Sequence, residues 1–215
     1  MMYDLHTHTI LSDGELLPIE LVRRAAVLGY KTIAITDHAD TSNLACLVEA
    51  VSRCREPAEC YGVNLLVGVE ITHLPPSMIP AAAREAKRLG ADIVVVHGES
   101  VLEPVAPGTN RTACNCDDVD VLAHPGLVTL DDARAAAEHG VALEITARTG
   151  HNRTNGHVVR VAQKAGCRLV VNSDAHNPSD LMSREVRWAL TVGAGLTEEE
   201  SRRILSLDVL EFLRK

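Results

Sequence analysis

Seven short runs rich in β-branched residues recur along the chain: MYDLH (2–6), KTIAIT (31–36), NLLVGVE (64–70), ADIVVVH (91–97), VDVLAH (119–124), VALEIT (141–146) and CRLVVNSD (167–174). Between them lie stretches rich in Ala, Leu and Arg whose apolar residues repeat at helical spacing: PIELVRRAAVLG, LACLVEAVSRC, IPAAAREAKRLG, LDDARAAAEHG, TNGHVVRVAQKAG and PSDLMSREVRWAL. Pro18 and Pro178 stand near the starts of two of them, and Gly29, Gly90, Gly140 and Gly166 close four. That is the expected asymmetry of a residue with fixed φ at a helix start and a left-handed residue at its end. Strand and helix patterns in alternation predict parallel strands joined by crossover helices. The tail TEEESRRILSLDVLEFLRK predicts more helix over the outside or one end of that layer, without evident chemistry.

At 215 residues and 46% hydrophobic content the chain can bury one sizeable core, so we expect one domain spanning residues 1–215. No apolar run approaches the roughly 20 residues that cross a bilayer, and MMYDLH has neither the basic end nor the apolar stretch of a signal peptide. The expectation is a cytoplasmic protein with no membrane partner. Its six cysteines are then reduced thiols; Cys114 and Cys116 form the one close pair and lack a second pair to complete a zinc ribbon. A formal net charge of −8 and 2% aromatic content argue against a protein that grips nucleic acid through its phosphates or by base stacking. Bound divalent cations would reverse that balance locally.

Candidate chemistry sits at the strand ends. His6 and His8 end the first run, Asp37 and His38 the second, Glu70 the third, His97 the fourth, His124 the fifth, Glu144 the sixth, and Asp174 with His176 the seventh. In a parallel βα barrel those ends form one face, the face that carries active sites. Strand parity puts Asp4, His6 and His8 on one face, Thr36 and His38 opposite Ile33 and Ile35, and Glu70 opposite Val67 and Val69. It also puts His97 opposite Val94 and Val96, and His124 opposite Val121, so we expect apolar residues to face the helices and ligands to face inward. One such histidine is ordinarily a hydrogen-bonded core or surface residue. Six of them, with Asp and Glu, have no packing motive and would leave costly buried polar groups. The remaining histidines read otherwise: His139 complements a helix C-terminus, His73 lies in a loop and His157 in a helix start, while His151 is ambiguous.

The ordered set DLHTHTILSDG, ITDH, GVE, VVHGE, LAHPG and NSDAH resembles the PHP family, named for its polymerase and histidinol phosphatase members. The resemblance implies an α/β fold, a distorted (β/α)7 TIM-like barrel with two to three divalent ions (zinc, manganese or iron) at the C-terminal ends of the strands. It implies that His6, His8, Glu70 and Asp174 hold a first ion, that Glu70 bridges to a second held by His97 and His124, and that Asp13, His38 and His176 hold a third. Some family members carry histidine at the position of Asp13. Such a site suits phosphoester hydrolysis by a metal-activated hydroxide, with Glu70 as the bridging catalytic carboxylate.

Two stretches read as substrate grips. EPVAPGTNRTAC places Gly108 and Thr109 before a short helix whose free N–H groups could hold an anion, with Thr109, Asn110 and Arg111 as contacts; a simple capped loop is the alternative. ITARTGHN continues the inward parity of Glu144 and Thr146 to Arg148, which can fork onto phosphate oxygens. His151 is either a proton donor to the leaving group or a solvent-facing loop residue. The leading reading is a histidinol-phosphatase-like phosphomonoesterase acting on a small phosphorylated metabolite. The alternatives are a nucleotide or nucleic-acid phosphodiesterase or exonuclease, and a non-catalytic PHP binding module.

Overall fold

The computed structural model describes residues 2–214. Seven parallel strands form a nearly closed barrel in the order β1 (Met2–Asp4), β2 (Tyr30–Ile35), β4 (Asn64–Ile71), β5 (Ile93–His97), β6 (Val121–Ala123), β7 (Ala142–Thr146) and β8 (Leu169–Asn172). A two-residue strand, β3 (His38–Ala39), continues the line of β2 and pairs with β4 in register His38↔Glu70. The distorted (β/α)7 barrel expected from the sequence is therefore the fold. Helices α1 (Pro18–Leu28), α2 (Leu44–Ser52), α3 (Arg55–Cys60), α4 (Ile79–Leu89), α5 (Thr109–Cys114), α6 (Leu130–His139) and α7 (Asn155–Ala165) occupy the connections, and α8 (Arg184–Gly193), α9 (Glu198–Leu205) and α10 (Val209–Phe212) follow. None of the described helices is long and apolar enough to cross a membrane.

Alternation on the strands sorts the core into two apolar layers. Ile33, Ile35, Val67, Val69, Val94, Val96, Leu122 and Leu143 pack outward against the helices. Ala34, Leu66, Ile93, Val95, Val121, Ala123, Ala142 and Val170 point inward and fill the barrel floor together with Tyr3, Leu5 and the α10 residues Val209 and Phe212. The expectation that apolar residues face only the helices is thus corrected: the lower interior must also exclude water, and only its upper layer is polar. The tail divides between the two predicted places, with Ile204 of α9 packed outside against Ile145, Val159 and Val171, and α10 closing the end of the barrel.

Two predicted helices break where local chemistry demands. LACLVEAVSRC forms α2 only as far as Ser52, and a separate short helix, α3, follows from Arg55. The stretch beginning at Pro178 forms one 3-10 turn, held by a capping box of Asn177 and Asp180, before α8 begins beyond Ser183, whose hydroxyl accepts the Val186 N–H at 3.3 Å. Between β1 and β8 the described pairing is a single bridge, Thr7↔Ala175. Side chains fill the rest of this seam: Asn172 Oδ1 accepts Leu5 N–H at 2.9 Å and the Tyr3 hydroxyl accepts Val171 N–H at 3.3 Å.

Candidate metal centre

Beyond β1 the chain stays in the barrel as far as Thr7, whose carbonyl accepts Thr36 N–H at 2.9 Å, so His6 and His8 both enter the mouth with Nε2 atoms 3.0 Å apart. A turn then brings Asp13 back over them. It is built by Ser12 and Gly14 N–H groups donating to the Thr9 carbonyl and by the Asp37 carboxylate, which accepts Thr9 N–H (2.7 Å), the Thr9 hydroxyl (2.8 Å) and the Ser12 hydroxyl (2.6 Å). Asp37 is thus the anchor of the turn. Gly14 allows the close approach, since a Cβ there would lie 2.6 Å from the His8 carbonyl.

Glu70 is the hub. Its oxygens lie 3.4 Å from His6 Nε2, 3.5 Å from His8 Nε2, 2.8 Å from His38 Nδ1 and 3.5 Å from His124 Nε2. Glu70 is fully buried, and neither oxygen accepts a hydrogen bond. Burial pushes this carboxyl up, but the imidazoles of His6, His38, His97 and His124 outweigh it and hold it well below the usual range. Asp174 lies 3.3 Å from His8 Nε2 and 3.7 Å from His124 Nε2. Asp13 lies 3.2 Å from His176 Nε2, 3.6 Å from His38 Nε2 and 3.8 Å from His8 Nδ1. Four overlapping sets bring ligand atoms within 4.8 Å of one another: His6, His8, Glu70; Glu70, His97, His124; His6, His124, Asp174; and His8, Asp13, His38, His176. All nine ligand candidates therefore meet in one place. The group around Asp13, His38 and His176 also includes His8, which was expected to serve the first ion alone. Nitrogen and carboxylate donors crowded around a buried carboxylate that accepts no hydrogen bond form a donor set suited to divalent transition metals.

The supporting shell comes from other strands. Glu144 turns its oxygens to the back of the ring: Oε1 takes His6 Nδ1 at 2.8 Å and Asn172 Nδ2 at 2.8 Å, and Oε2 accepts His124 N–H at 2.9 Å. With Nδ1 so engaged, His6 presents Nε2 to the centre. His124 and Asp174 have φ of 26° and 53°. Strict alternation would carry His124 to the same side as the outward Leu122, so its inward aim depends on this left-handed turn.

At the rim, the loop after β5 delivers a carboxylate that was not singled out in the sequence. Glu103 Oε2 stands 3.0 Å from His97 Nε2, and Oε1 stands 3.4 Å from His151 Nε2. The bond to His97 holds the Glu103 carboxyl down at about 2. Its signal was available only as a Glu six residues beyond His97. Gly126 makes this loop possible: its φ is 60° and a Cβ would fall 2.0 Å from the Glu99 carbonyl. His151 is buried rather than solvent-facing, with Nδ1 2.7 Å from the Ser100 hydroxyl, and burial reinforced by the His124 charge pushes it down to about 4. Arg148 does reach the mouth and pairs with Asp180 at 3.2 Å.

The Thr109 grip is corrected. The N–H groups of Gly108 and Asn110 already donate to Glu99 Oε1 at 3.0 and 2.9 Å, so an internal carboxylate fills the anion position. Thr109 bonds the Ala106 carbonyl, Asn110 clamps Glu99 N–H and the Pro125 carbonyl, and Arg111 pairs with Asp132. None of the three lines the central cavity, which measures about 70 Å³ and is bounded by the cluster with Glu103, Arg148 and His151. A larger cavity of about 640 Å³, beside Trp188 and Arg202, lies apart from all of these residues.

The PHP domain family model matches residues 4–165. An uncharacterized protein of Methanocaldococcus jannaschii is 48% identical over 217 residues, covering all of both chains. Ribonuclease P protein component 3 of Methanosarcina mazei is 28% identical, over 99% of this chain and 89% of its own length. Among solved structures, histidinol phosphate phosphatase of Lactococcus lactis, complexed with zinc, L-histidinol and phosphate, superposes with a TM-score of 0.66 at 17% identity, covering 91% of this chain and 94% of that one.

Proposed function

The chain belongs to the PHP domain family, and from that premise we propose that it is a metal-dependent phosphoesterase hydrolysing a small phosphorylated metabolite at the mouth of its barrel. The observation that carries this reading is the buried Glu70 carboxylate, without a hydrogen bond and ringed by imidazole nitrogens. His6, His8, Glu70 and Asp174 would hold one ion, Glu70, His97 and His124 a second, and Asp13, His38 and His176 a third, with zinc, manganese or iron suited to the mixed donors. Such ions neutralise phosphate charge and lower the pKa of a bound water.

The chain's own side chains supply orientation. Arg148, with one nitrogen on Asp180, directs its guanidinium edge at phosphate oxygens. His151 is neutral at pH 7; with Nδ1 beside the Ser100 hydroxyl and Nε2 beside Glu103 at the rim of the cleft, it would meet the substrate through a hydrogen bond rather than give up a full proton. A cavity of about 70 Å³ has room for a phosphate group while the remainder of the substrate stays outside. The likeness to a ribonuclease P component favours a second reading, action on an RNA or nucleotide phosphate. Glu103 and Asp13 beside the cleft and the net charge of −8 weigh against a long polyanion.

The test is metal analysis of purified protein with assays on a nitrophenyl phosphate monoester, the corresponding diester and single-stranded RNA. We expect two to three ions per chain, monoester turnover abolished by chelation, and severe loss in Glu70→Gln, whose amide bridges two ions poorly. Turnover by metal-free protein would refute the mechanism.

A further inference from the structure

We propose that Asp4, backed by the positive charge of Arg187, is a positioning residue for the metal centre: one carboxylate ties together the two backbone segments that carry His6 and Asp174. This rests on the metal-dependent reading above. Asp4 lies at the seam between β1 and β8, where backbone pairing is sparse. At the mouth, Asp174 N–H donates to the His6 carbonyl at 3.0 Å and His8 N–H to the Ala175 carbonyl at 2.9 Å. Just below, the Asp4 carboxylate takes over. Its oxygens accept Ser173 N–H at 3.1 and 3.2 Å and His6 N–H at 3.3 Å. Ser173 immediately precedes Asp174, whose φ of 53° is strained and persists only where its surroundings enforce it. Asp4 belongs to none of the ligand groups although it is two residues from His6.

A carboxylate fully buried at this depth is costly unless it is both bonded and charge-balanced. The balance comes from α8. Arg187 is 2% exposed, its Cζ lies 4.7 Å from the Tyr3 ring centroid and 5.9 Å from that of Tyr30, and Nη1 and Nη2 donate no hydrogen bond. Stacked on the ring of Tyr3, the residue before Asp4, the guanidinium sets its positive charge beside the seam. The two tyrosine rings seat the buried guanidinium, and its charge balances the anion held in the seam. The first ion's ligands are thereby preset by a charge on an outer helix, through Asp4.

The test is zinc affinity of metal-stripped protein, measured by competition with a chromophoric chelator, alongside unfolding of the metal-free form. Asp4→Asn is expected to keep the parent's circular dichroism while weakening the tightest zinc site by roughly tenfold or more, the range for losing an outer-shell partner. Arg187→Met should weaken it less, and the double variant no more than Asp4→Asn alone, because Arg187 acts only through Asp4. A residue that merely staples the seam would lower the metal-free unfolding midpoint and leave zinc affinity unchanged, which would overturn the proposal. Should Asp4→Asn not fold, Arg187→Met and hydrogen exchange in the metal-free parent decide: the His6 and Ser173 amides must exchange as slowly as those of β5, and fast exchange overturns it. A parent that binds no zinc would instead refute the metal-dependent reading.

Discussion

Replacing Glu144 by Gln keeps the shape of a fully buried side chain and changes one acceptor into a donor. The carboxylate serves three donors: Oε1 takes His6 Nδ1 and Asn172 Nδ2, both at 2.8 Å, and Oε2 takes His124 N–H at 2.9 Å. With its single oxygen left toward His6 and Asn172, the glutamine amide faces the His124 N–H, donor against donor. The flipped amide confronts two donors and is worse. The preferred orientation forfeits one charge-assisted bond and strands a buried N–H, costing about 2–4 kcal/mol of folding stability. His6 also loses an anionic partner, which weakens metal affinity by roughly 10- to 100-fold, equivalent to ~1.4–2.7 kcal/mol. Chelator competition reads the second effect and denaturant unfolding of metal-free protein reads the first. A pH series adds a sign. Burial raises the Glu144 carboxyl, but His6 and His124 more than offset it and hold it below its ordinary 4.5. Its contribution to metal-free stability is therefore present above pH 4.5 and lost as pH falls through the depressed folded value, so the variant should show a shallower acid limb. Parental zinc affinity together with parental stability in Glu144→Gln would refute the assignment of Glu144 as the support of His6 and His124.

Arg148→Ala should retain its metal content and lose about 2–4 kcal/mol of transition-state stabilisation, while loss of its partly exposed pair with Asp180 costs under about 1 kcal/mol of stability; equal kcat/KM in variant and parent removes it from the phosphate site. Asp13→Ala should lower metal content by about one ion per chain, and because His8 also faces Asp13, it should perturb the first site slightly as well; loss of every ion would contradict the grouping. Alkylation at pH 8 should label Cys46 and Cys60 first. Buried Cys167, pushed up to about 11, and buried Cys114, raised further, should react only on unfolding, as intact-mass measurement will show.

What the sequence determined by itself is what depends on neighbours along the chain. The rhythm of β-branched runs and Ala-rich stretches specified parallel strands with crossover helices, and a side-chain period of two aimed Glu70 and His97 inward because Val67, Val69, Val94 and Val96 must face the helices. Tertiary structure decided whatever joins distant segments. His6 and Glu144, 138 residues apart, meet only because the barrel brings β1 and β7 to one mouth. His124 faces the centre through a left-handed turn that breaks the alternation of β6. The N–H groups at the start of α5 are free for a ligand by local pattern alone, but the fold places Glu99 on them. Glu103 and the buried His151 reach the cleft along loops without periodicity, whose course depends on where backbone can pass closely, as at Gly126. Local pattern fixes the direction of a side chain on a regular element, whereas which groups it meets depends on loop closure and the geometry of the barrel seam.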